Sequence, residues 1–541
     1  MVSNGVSTSG SGPRRSTGKP LSIDPNDSAP LILFGRVVPM DGTVIDDGAV
    51  YCRNGGIQAV QARGAASPDG FNDAVRMETN GVIYPGLLDL HNHLNYNVLT
   101  LWDVPKKYGD RYEWRTSPEY HRDISQPMSA IVAKGLSAAV IRYVEAKLLV
   151  GGTTSAQGMS LKSGDAPFYR GLIRNFERTE DSRLPEIKTQ LEDIFKLAQP
   201  DIDAMKSELD AGIRLFHHLA EGRNARAHQA YVDVQQHGFL RPNYVGIHDL
   251  GLTDAEYAQL CNAGAKAVWS PTSNSLLYGH TIDIPQFFDS GISWGLGCDW
   301  SPSGTKNQLG EMKVALLAAH AAGNDIAYRR LCEAVTTQAA SIVGWENSIG
   351  SIAPNLFADL LVLRPKSSDP YGNLVLGTEK DIMLVVIAGV PRYGDAALMD
   401  QSGLPAGKLE IKIVAGGSRK FFFEHPASPI NDLSLADAIT NLENGMADLT
   451  NIPPPSTRLF QALGFEQDEL QLDLEMDLEP GTRLLDASAR DFTGPFRPPL
   501  VPVLKSVPLD KLTIDDDPQF FDRIDAVAAA PPFLRELRTF Y

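Results

Sequence analysis

Apolar residues along the chain fall into short runs, and the first and last of these runs predict β-strands. They are LILFGRVV (31–38), GAVYCR (48–53), IQAVQA (57–62), FADLLVLRP (357–365) and DIMLVVIAGVPRYG (381–394). The turn Asn54-Gly55-Gly56 separates the second run from the third, and Asn-Gly between two strands favours a hairpin because both residues tolerate a positive φ. Both end regions are therefore predicted to be β-structure.

The central region alternates between strand-like runs and stretches with helical apolar spacing. Its strand-like runs are VIYPGLLDLHNHL, GGTTSAQG, IRLFHHLAEG, YVGIHDL, AKAVWSPT and ISWGLGCDW. Such alternation predicts parallel βα units, and a (β/α)₈ barrel is the commonest closed arrangement of them. Chemistry in such barrels lies at the carboxyl ends of the strands, which is where histidines and acids occur here.

The two termini have a different character. Residues 1–29 are predicted to be a flexible leader, and the first twenty of them lack the apolar segment of a secretory signal, which favours a cytoplasmic protein. The C-terminal extension (416–541) carries proline-rich tracts at 450–456 and 494–503 and one helical pattern, SLADAITNLENGMADL. Between the tracts, QDELQLDLEMDLEPG alternates acidic and apolar residues, and both an edge strand and a solvated helix remain open.

Charge and cysteine content exclude several classes of function. Of the 541 residues, 49 are Lys or Arg and 66 are Asp or Glu, which gives a net charge of −17. This charge disfavours broad binding to nucleic acid or to an anionic membrane, and no apolar run reaches the ~18 residues of a spanning helix. The four cysteines lack CxxC spacing, so neither a disulfide framework nor a thiolate zinc cluster is expected.

The first chemical motif is LLDLHNH (87–93). Alternate residues of a strand point to the same face, so His91 and His93 together could bind one metal ion. Two half-buried histidines bonded to backbone carbonyls are the plainer interpretation of this motif when it stands alone.

Four later segments add candidate groups. FHHLAEG offers His218 and Glu221, VGIHD offers His248, GLGCDWSP offers Asp299, and SPTSN (270–274) offers small polar side chains. Each has an ordinary explanation in isolation, such as a glutamate at a helix start or a carboxylate that caps a helix. In one order at strand ends, three histidines, a carboxylate and a separate acid are the components of a hydrolytic metal site.

With these motifs, the sequence resembles the amidohydrolase superfamily, in particular the aminohydrolase and chlorohydrolase branch that includes guanine- and cytosine-deaminase-like enzymes. The elements that carry the resemblance, over roughly residues 30–400, are GVIYPGLLDLHNHL, GGTTSAQG, HHLAEG, GIHDLGLT, WSPTSNS, GLGCDWSPSGTKNQLGEMKVA and SIGSIAPNLFADLLVL. The resemblance implies an α/β fold with a metal-dependent (β/α)₈ TIM barrel (83–349). A small β-sandwich built from both chain ends (30–82 and 350–415) would accompany the barrel.

The resemblance also implies roles for individual residues. The implied metal ligands are His91, His93, His218 and Asp299. Glu221 would move protons, His248 would bond the attacking water or the tetrahedral adduct, and Asp299 would help to deprotonate the water. The cofactor would be one divalent ion, Zn²⁺ or alternatively Fe²⁺, which lowers the pKa of a bound water towards ~7.

A second pattern in the superfamily has two metals bridged by a carboxylated lysine on the fourth barrel strand. The segment taken for that strand, 170–176, contains no lysine. Lys147, Lys188, Lys196 and Lys206 lie in stretches that look helical. A one-metal site is therefore expected.

The leading hypothesis for function is hydrolytic deamination of a small nitrogen heterocycle. Hydrolysis of a cyclic or linear amide would use the same residues, and a non-catalytic barrel scaffold is the third alternative. Asn97, Trp102, Asn274 and Trp300 are candidate substrate contacts because they lie beside the motifs. The expected partner is a small molecule rather than nucleic acid or a membrane, and a homodimer is expected by analogy.

Overall fold

The computed structural model describes residues 30–162, 168–179, 181–425, 428–449, 470–476 and 504–541. The predicted leader and both proline-rich tracts lie outside these residues.

The strands come in two groups, one at the chain ends and one in the centre. They are β1 (Leu31–Val37), β2 (Ile45–Arg53), β3 (Gly56–Ala62), β4 (Val75–Pro85), β5 (Leu87–Asp89), β6 (Thr153–Ala156), β7 (Arg174–Asn175), β8 (Lys188–Gln190), β9 (Leu215–Leu219), β10 (Tyr244–His248), β11 (Lys266–Trp269), β12 (Ser293–Leu296), β13 (Leu360–Leu363), β14 (Ile382–Ile387), β15 (Val390–Asp395), β16 (Leu409–Val414) and β17 (Gly417–Phe422).

The α-helices mostly follow the central strands. They are α1 (Arg111–Arg115), α2 (Pro118–Tyr120), α3 (Gln126–Ala133), α4 (Ser137–Val150), α5 (Gln199–Asp210), α6 (Ala225–Gln236), α7 (Asp254–Asn262), α8 (Pro271–Tyr278), α9 (Ile284–Asp289), α10 (Gln308–Ala321), α11 (Tyr328–Ala334), α12 (Thr337–Val343), α13 (Pro370–Leu376), α14 (Ala396–Met399), α15 (Leu435–Ala447), α16 (Pro518–Ala526) and α17 (Pro532–Arg535). Single 3₁₀ turns span Leu94–Tyr96, Ile194–Lys196, Glu379–Asp381, Ala406–Lys408 and Glu536–Phe540, and a π-helical turn spans His121–Ser125.

Among the described residues, no single helix is long and apolar enough to cross a membrane, and the pair Pro118–Ala133 and Ser137–Val150 meets that test only when taken together across a 120° bend.

Strands from both ends of the chain form one nine-stranded sheet, in the order β16-β17-β15-β14-β13-β4-β1-β2-β3. The β2–β3 turn has positive φ at Asn54 (52°) and Gly55 (74°), as the hairpin motif predicted. The sheet continues through β17 to Phe422, past the predicted boundary at residue 415. In the described residues these nine strands belong to one hydrogen-bonded sheet, so the two layers of a β-sandwich stay a prediction.

Eight parallel strands of the central region form two sheets, β5-β6-β7 and β8 to β12 in sequential order. Backbone hydrogen bonds join the sheets at both edges: Ile187 N donates to Phe176 O at 2.9 Å, and Leu90 N donates to Leu296 O at 3.2 Å. Helices follow most of these strands, so the architecture is a TIM-barrel-like α/β fold.

One strand assignment from the sequence needs correction. The segment 170–176, taken as the fourth barrel strand, contains β7, which is the third parallel strand in chain order. The fourth is β8, and Lys188, which was placed in a helix-like stretch, is its first residue. The segment was misread because β7 and β8 are too short to show an apolar period, and Lys188 is exposed rather than directed into the site.

Candidate metal centre

The structure brings together the six side chains that the resemblance assigned to metal binding and catalysis. Ligand atoms lie within 4.8 Å of one another in each of three overlapping groups: His91, His93 and His218; His91, His248 and Asp299; and His218, Glu221 and His248. All six residues are buried. The described residues therefore hold one cluster of histidines and carboxylates at the ends of the parallel strands.

The local backbone explains how the side chains converge. Phe216 and His218 share one face of β9, and Phe216 packs in the apolar cluster inside the strands. His248 and Asp299 have left-handed backbones, with φ of 77° and 65°, so the extended chain ends at these residues. A Cβ on Gly297 would lie 2.5 Å from His91 Cβ, so a glycine is required where this segment passes His91.

The site contains buried polar atoms that have no hydrogen-bond partner among the described residues. These atoms are Nε2 of His91, His93 and His248, both ring nitrogens of His218, and Oε2 of Glu221. Leaving such atoms unpaired in a buried site costs free energy, whereas imidazole nitrogens and a carboxylate are good ligands for a divalent cation. The donor set therefore fits a divalent metal ion.

The other nitrogen of two histidines is occupied. His91 Nδ1 lies 2.7 Å from Gln157 Oε1, and His93 Nδ1 lies 3.2 Å from Glu475 Oε1. An oxygen acceptor keeps the proton on Nδ1 and leaves the Nε2 lone pair available for a metal. Both rings are therefore oriented as metal ligands usually are.

Asp299 uses its two oxygens differently. Oδ1 lies 3.3 Å from His91 Nε2 and 3.5 Å from His93 Nε2, while Oδ2 accepts a hydrogen bond from Ser273 Oγ at 2.6 Å. Burial acts to raise the pKa of Asp299, but the close contact with His91 outweighs it and holds that pKa well below its usual range. Asp299 is therefore ionised and is a candidate ligand for a metal ion.

Glu221 is fixed by a tyrosine. Its Oε1 accepts from Tyr278 OH at 2.6 Å, and Tyr278 OH accepts in turn from Trp114 Nε1 at 2.9 Å. Its Oε2 lies 3.7 Å from His248 Nε2 and 4.0 Å from Arg111 Nε. One carboxylate oxygen is therefore anchored, and the other faces the histidine cluster.

Burial keeps two of the histidines in the neutral form. It lowers the pKa of His218 well below its ordinary value, and the nearby charges of His91 and Arg111 lower it further. Burial also lowers the pKa of His248, whose Nδ1 donates to Asn274 Oδ1 at 2.9 Å. Neutral His248 therefore has its lone pair on Nε2, on the side of Glu221.

The four predicted substrate contacts all have partners within the protein. Asn274 holds His248, and the ring of Trp300 lies 5.9 Å from that of His93 while its Nε1 donates to Ser303 Oγ. The Asn97 side chain bonds Asn92 and the backbone of Ser301, and Trp102 Nε1 donates to Asp123. Contact of these four residues with a substrate stays a prediction.

The segment SPTSN already offered Ser273 as a candidate, but sequence reasoning missed four other residues that support the site: Gln157, Tyr278, Arg111 and Glu475. Two of them had a usable signal, since Gln157 lies inside a motif already singled out and Tyr278 ends the helix that begins in WSPTSNS. Arg111 and Glu475 had none, because only the tertiary fold brings them to Glu221 and His93.

Comparisons with known proteins agree with this geometry. Residues 203–392 match the amidohydrolase family. The chain is 24% identical over 415 residues to the 5-methylthioadenosine/S-adenosylhomocysteine deaminase of Nitratidesulfovibrio vulgaris, a match that covers 68% of this chain and 92% of that protein.

Two solved structures share the fold. An adenosine deaminase from Xanthomonas campestris with bound zinc has a TM-score of 0.54 and 18% identity, and the match covers 69% of this chain and 96% of that one. An atrazine chlorohydrolase mutant from Arthrobacter aurescens, complexed with zinc and atraton, has a TM-score of 0.53 and 18% identity over 67% of this chain and 94% of that one. The family match over residues 203–392 agrees with the resemblance to the amidohydrolase superfamily that the sequence motifs predicted, and the two solved structures share the fold of this chain.

Proposed function

We propose that the protein is a metal-dependent hydrolase that deaminates a small nitrogen heterocycle. The observation that carries the proposal is the single buried cluster of His91, His93, His218, Glu221, His248 and Asp299. The relatives support the same reaction type, because a deaminase is similar to this chain along most of its own length. The complete set of catalytic groups disfavours the non-catalytic scaffold.

The metal ligands in this proposal are His91, His93, His218 and Asp299, and the ion is Zn²⁺. Three imidazoles and a carboxylate suit zinc, and one site is expected because Lys188 on the fourth strand is exposed. When bound, the ion would lower the pKa of a water molecule so that hydroxide is available near neutral pH. Elemental analysis that finds two tightly held equivalents would contradict the one-metal assignment.

The side chains divide the proton transfers between them. His248 Nε2 can accept a hydrogen bond from the attacking water, since Asn274 keeps the ring proton on Nδ1. Glu221 Oε2 can receive a proton from that water and deliver it to the leaving nitrogen, while Tyr278 holds Oε1 in place. The water oxygen forms the new C–O bond, the C–N bond breaks, and ammonia leaves.

We also infer that the eight parallel strands close into a single (β/α)₈ barrel. Hydrogen bonds join β7 to β8 through Phe176 and Ile187, and they join β12 to β5 through Leu296 and Leu90. The Asn92–Asp299 bridge lies at the second of these junctions, so the closure would itself set the distance between the HxH motif and Asp299.

The test is ammonia release from a panel of aminated purines, pyrimidines, pterins and triazines. Zinc-reconstituted protein should release one equivalent from at least one of them, and Asp299→Ala should release none. Ring opening of a cyclic amide without ammonia would favour amide hydrolysis by the same residues. A protein that takes up no metal and shows no activity would favour the scaffold.

A further inference from the structure

Part of the C-terminal extension lies beside the metal centre. Residues 470–476 run antiparallel to residues 160–162: Lys162 N donates to Gln471 O, and Asp473 N donates to Ser160 O, both at 2.9 Å. The apolar residues of this segment, Leu470, Leu472, Leu474 and Met476, are buried in the main hydrophobic core. The alternation that the sequence left open is therefore that of an extended segment in these residues.

Glu475 is on the opposite face of this segment from the leucines, and its carboxylate is held at both oxygens. Oε2 accepts from Ser160 Oγ at 3.0 Å and from Asn95 Nδ2 at 3.2 Å. Oε1 lies 3.2 Å from His93 Nδ1. Two donors on one oxygen fix the orientation of the carboxylate, so the other oxygen stays aimed at the imidazole.

The three imidazoles with a proposed ligand role differ in the hydrogen-bond partner of their Nδ1 atom. His91 Nδ1 has a neutral amide oxygen as its partner, His93 Nδ1 has a carboxylate, and neither nitrogen of His218 has a partner among the described residues. A carboxylate on the far nitrogen of a metal-binding histidine fixes the tautomer and makes the ligand more basic. The strongest such support in this cluster therefore comes from the C-terminal extension.

We propose that Glu475 is a positioning residue that completes the metal site by orienting His93 through Nδ1. The inference rests on the proposed function, because it requires His93 to bind the metal through Nε2. The C-terminal extension thereby acquires a role in metal binding that the barrel alone does not supply.

The experiment measures zinc affinity by competition with a chromogenic chelator, and the visible spectrum of the cobalt-substituted protein. Glu475→Ala should bind zinc about 10- to 100-fold more weakly and should change the cobalt spectrum, because His93 loses its fixed orientation. Glu475→Gln should restore most of the affinity, since its amide oxygen still accepts from Nδ1. Glu475→Met keeps the side-chain length without the carboxylate acceptor, so it should also weaken zinc binding, and it separates loss of the acceptor from loss of side-chain bulk.

Gln471→Ala is the matched control, because Gln471 shares the face of Glu475 while its contact with Lys162 is made by the backbone. It should retain wild-type affinity and spectrum. Wild-type affinity and spectrum in both Glu475→Ala and Glu475→Met would overturn the proposal while leaving the proposed function intact. A wild-type protein that binds neither zinc nor cobalt would overturn the proposed function, and this inference with it.

Discussion

Ser273 Oγ donates a hydrogen bond to Asp299 Oδ2 at 2.6 Å, on the opposite side of the carboxylate from His91 and His93. Ser273 is also bonded to Ser303 Oγ at 2.8 Å, and Ser303 accepts from the indole of Trp300. This chain of donors fixes the rotation of the Asp299 carboxylate. The ligand oxygen is thereby held towards the histidines.

Removal of this hydroxyl should weaken the site without disrupting the fold. We expect Ser273→Ala to lower kcat/KM or metal affinity by about 10- to 100-fold, because Asp299 loses its orienting donor. Steady-state kinetics and chelator competition measure the two effects. Ser275→Ala is the control, since its hydroxyl donates to Pro271 O in the same helix, and an equal loss there would show that the effect is not specific to Asp299.

Glu221→Gln should separate proton transfer from metal binding. We expect kcat to fall by about 10²- to 10⁴-fold, because the amide cannot carry a proton to the leaving nitrogen. Metal content by elemental analysis should stay at the wild-type level, since Glu221 is not an assigned ligand. Loss of the metal in this variant would contradict the role proposed for Glu221. Glu256→Gln, at the start of α7, is the control for the charge change.

Glu177 should make the stability of the protein depend on pH. Burial raises the pKa of Glu177 from 4.5 to about 7, although its oxygens accept hydrogen bonds from Gly158 N and Thr189 Oγ1. The pKa of Glu177 is higher in the folded protein than in the unfolded chain, so protonated Glu177 favours the folded state. This contribution to stability is complete below pH ~4.5 and is lost as the pH rises through ~7. The raised pKa corresponds to about 3 kcal/mol of unfolding free energy.

Urea unfolding at pH 5 and pH 8 of the wild type and Glu177→Gln tests this expectation. The wild type should lose stability relative to the variant as the pH rises, since the amide does not ionise. The exposed Glu346→Gln should show no such change. Parallel pH profiles for the wild type and Glu177→Gln would mean that Glu177 is not the group responsible.

Asp510 joins the C-terminal residues to the barrel through two buried lysines. Its oxygens lie 2.5 Å from Lys147 Nζ and 2.5 Å from Lys306 Nζ, and all three side chains are at most 2% exposed. Asp510→Ala should cost about 3–5 kcal/mol of unfolding free energy, because it removes the carboxylate paired with the buried Lys147 ammonium, whereas Lys306 keeps Asp517 at 2.9 Å. The exposed Asp522→Ala is the control in denaturant unfolding, and a loss no larger than that of the control would contradict the prediction.

Local sequence signals predicted the parts of the fold that local chemistry determines. The Asn54-Gly55 hairpin and the runs ending at His218 and His248 could be read directly, because turn preference and apolar runs are properties of neighbouring residues. β7 and β8 could not, since strands of two and three residues carry no period. Arg111 and Glu475 were also missed, because their role depends on packing between segments distant in the chain.

The pairing of β4 with β13 has a consequence for synthesis of the chain. Pro85 pairs with Leu360, and Val82 pairs with Leu363, so one edge of β4 has no partner until residues far downstream have been made. At the usual ~5–20 residues per second, that interval lasts on the order of tens of seconds. An open apolar strand edge invites pairing with other chains, so nascent chains of this protein should depend on chaperones until the ribosome has passed Leu363.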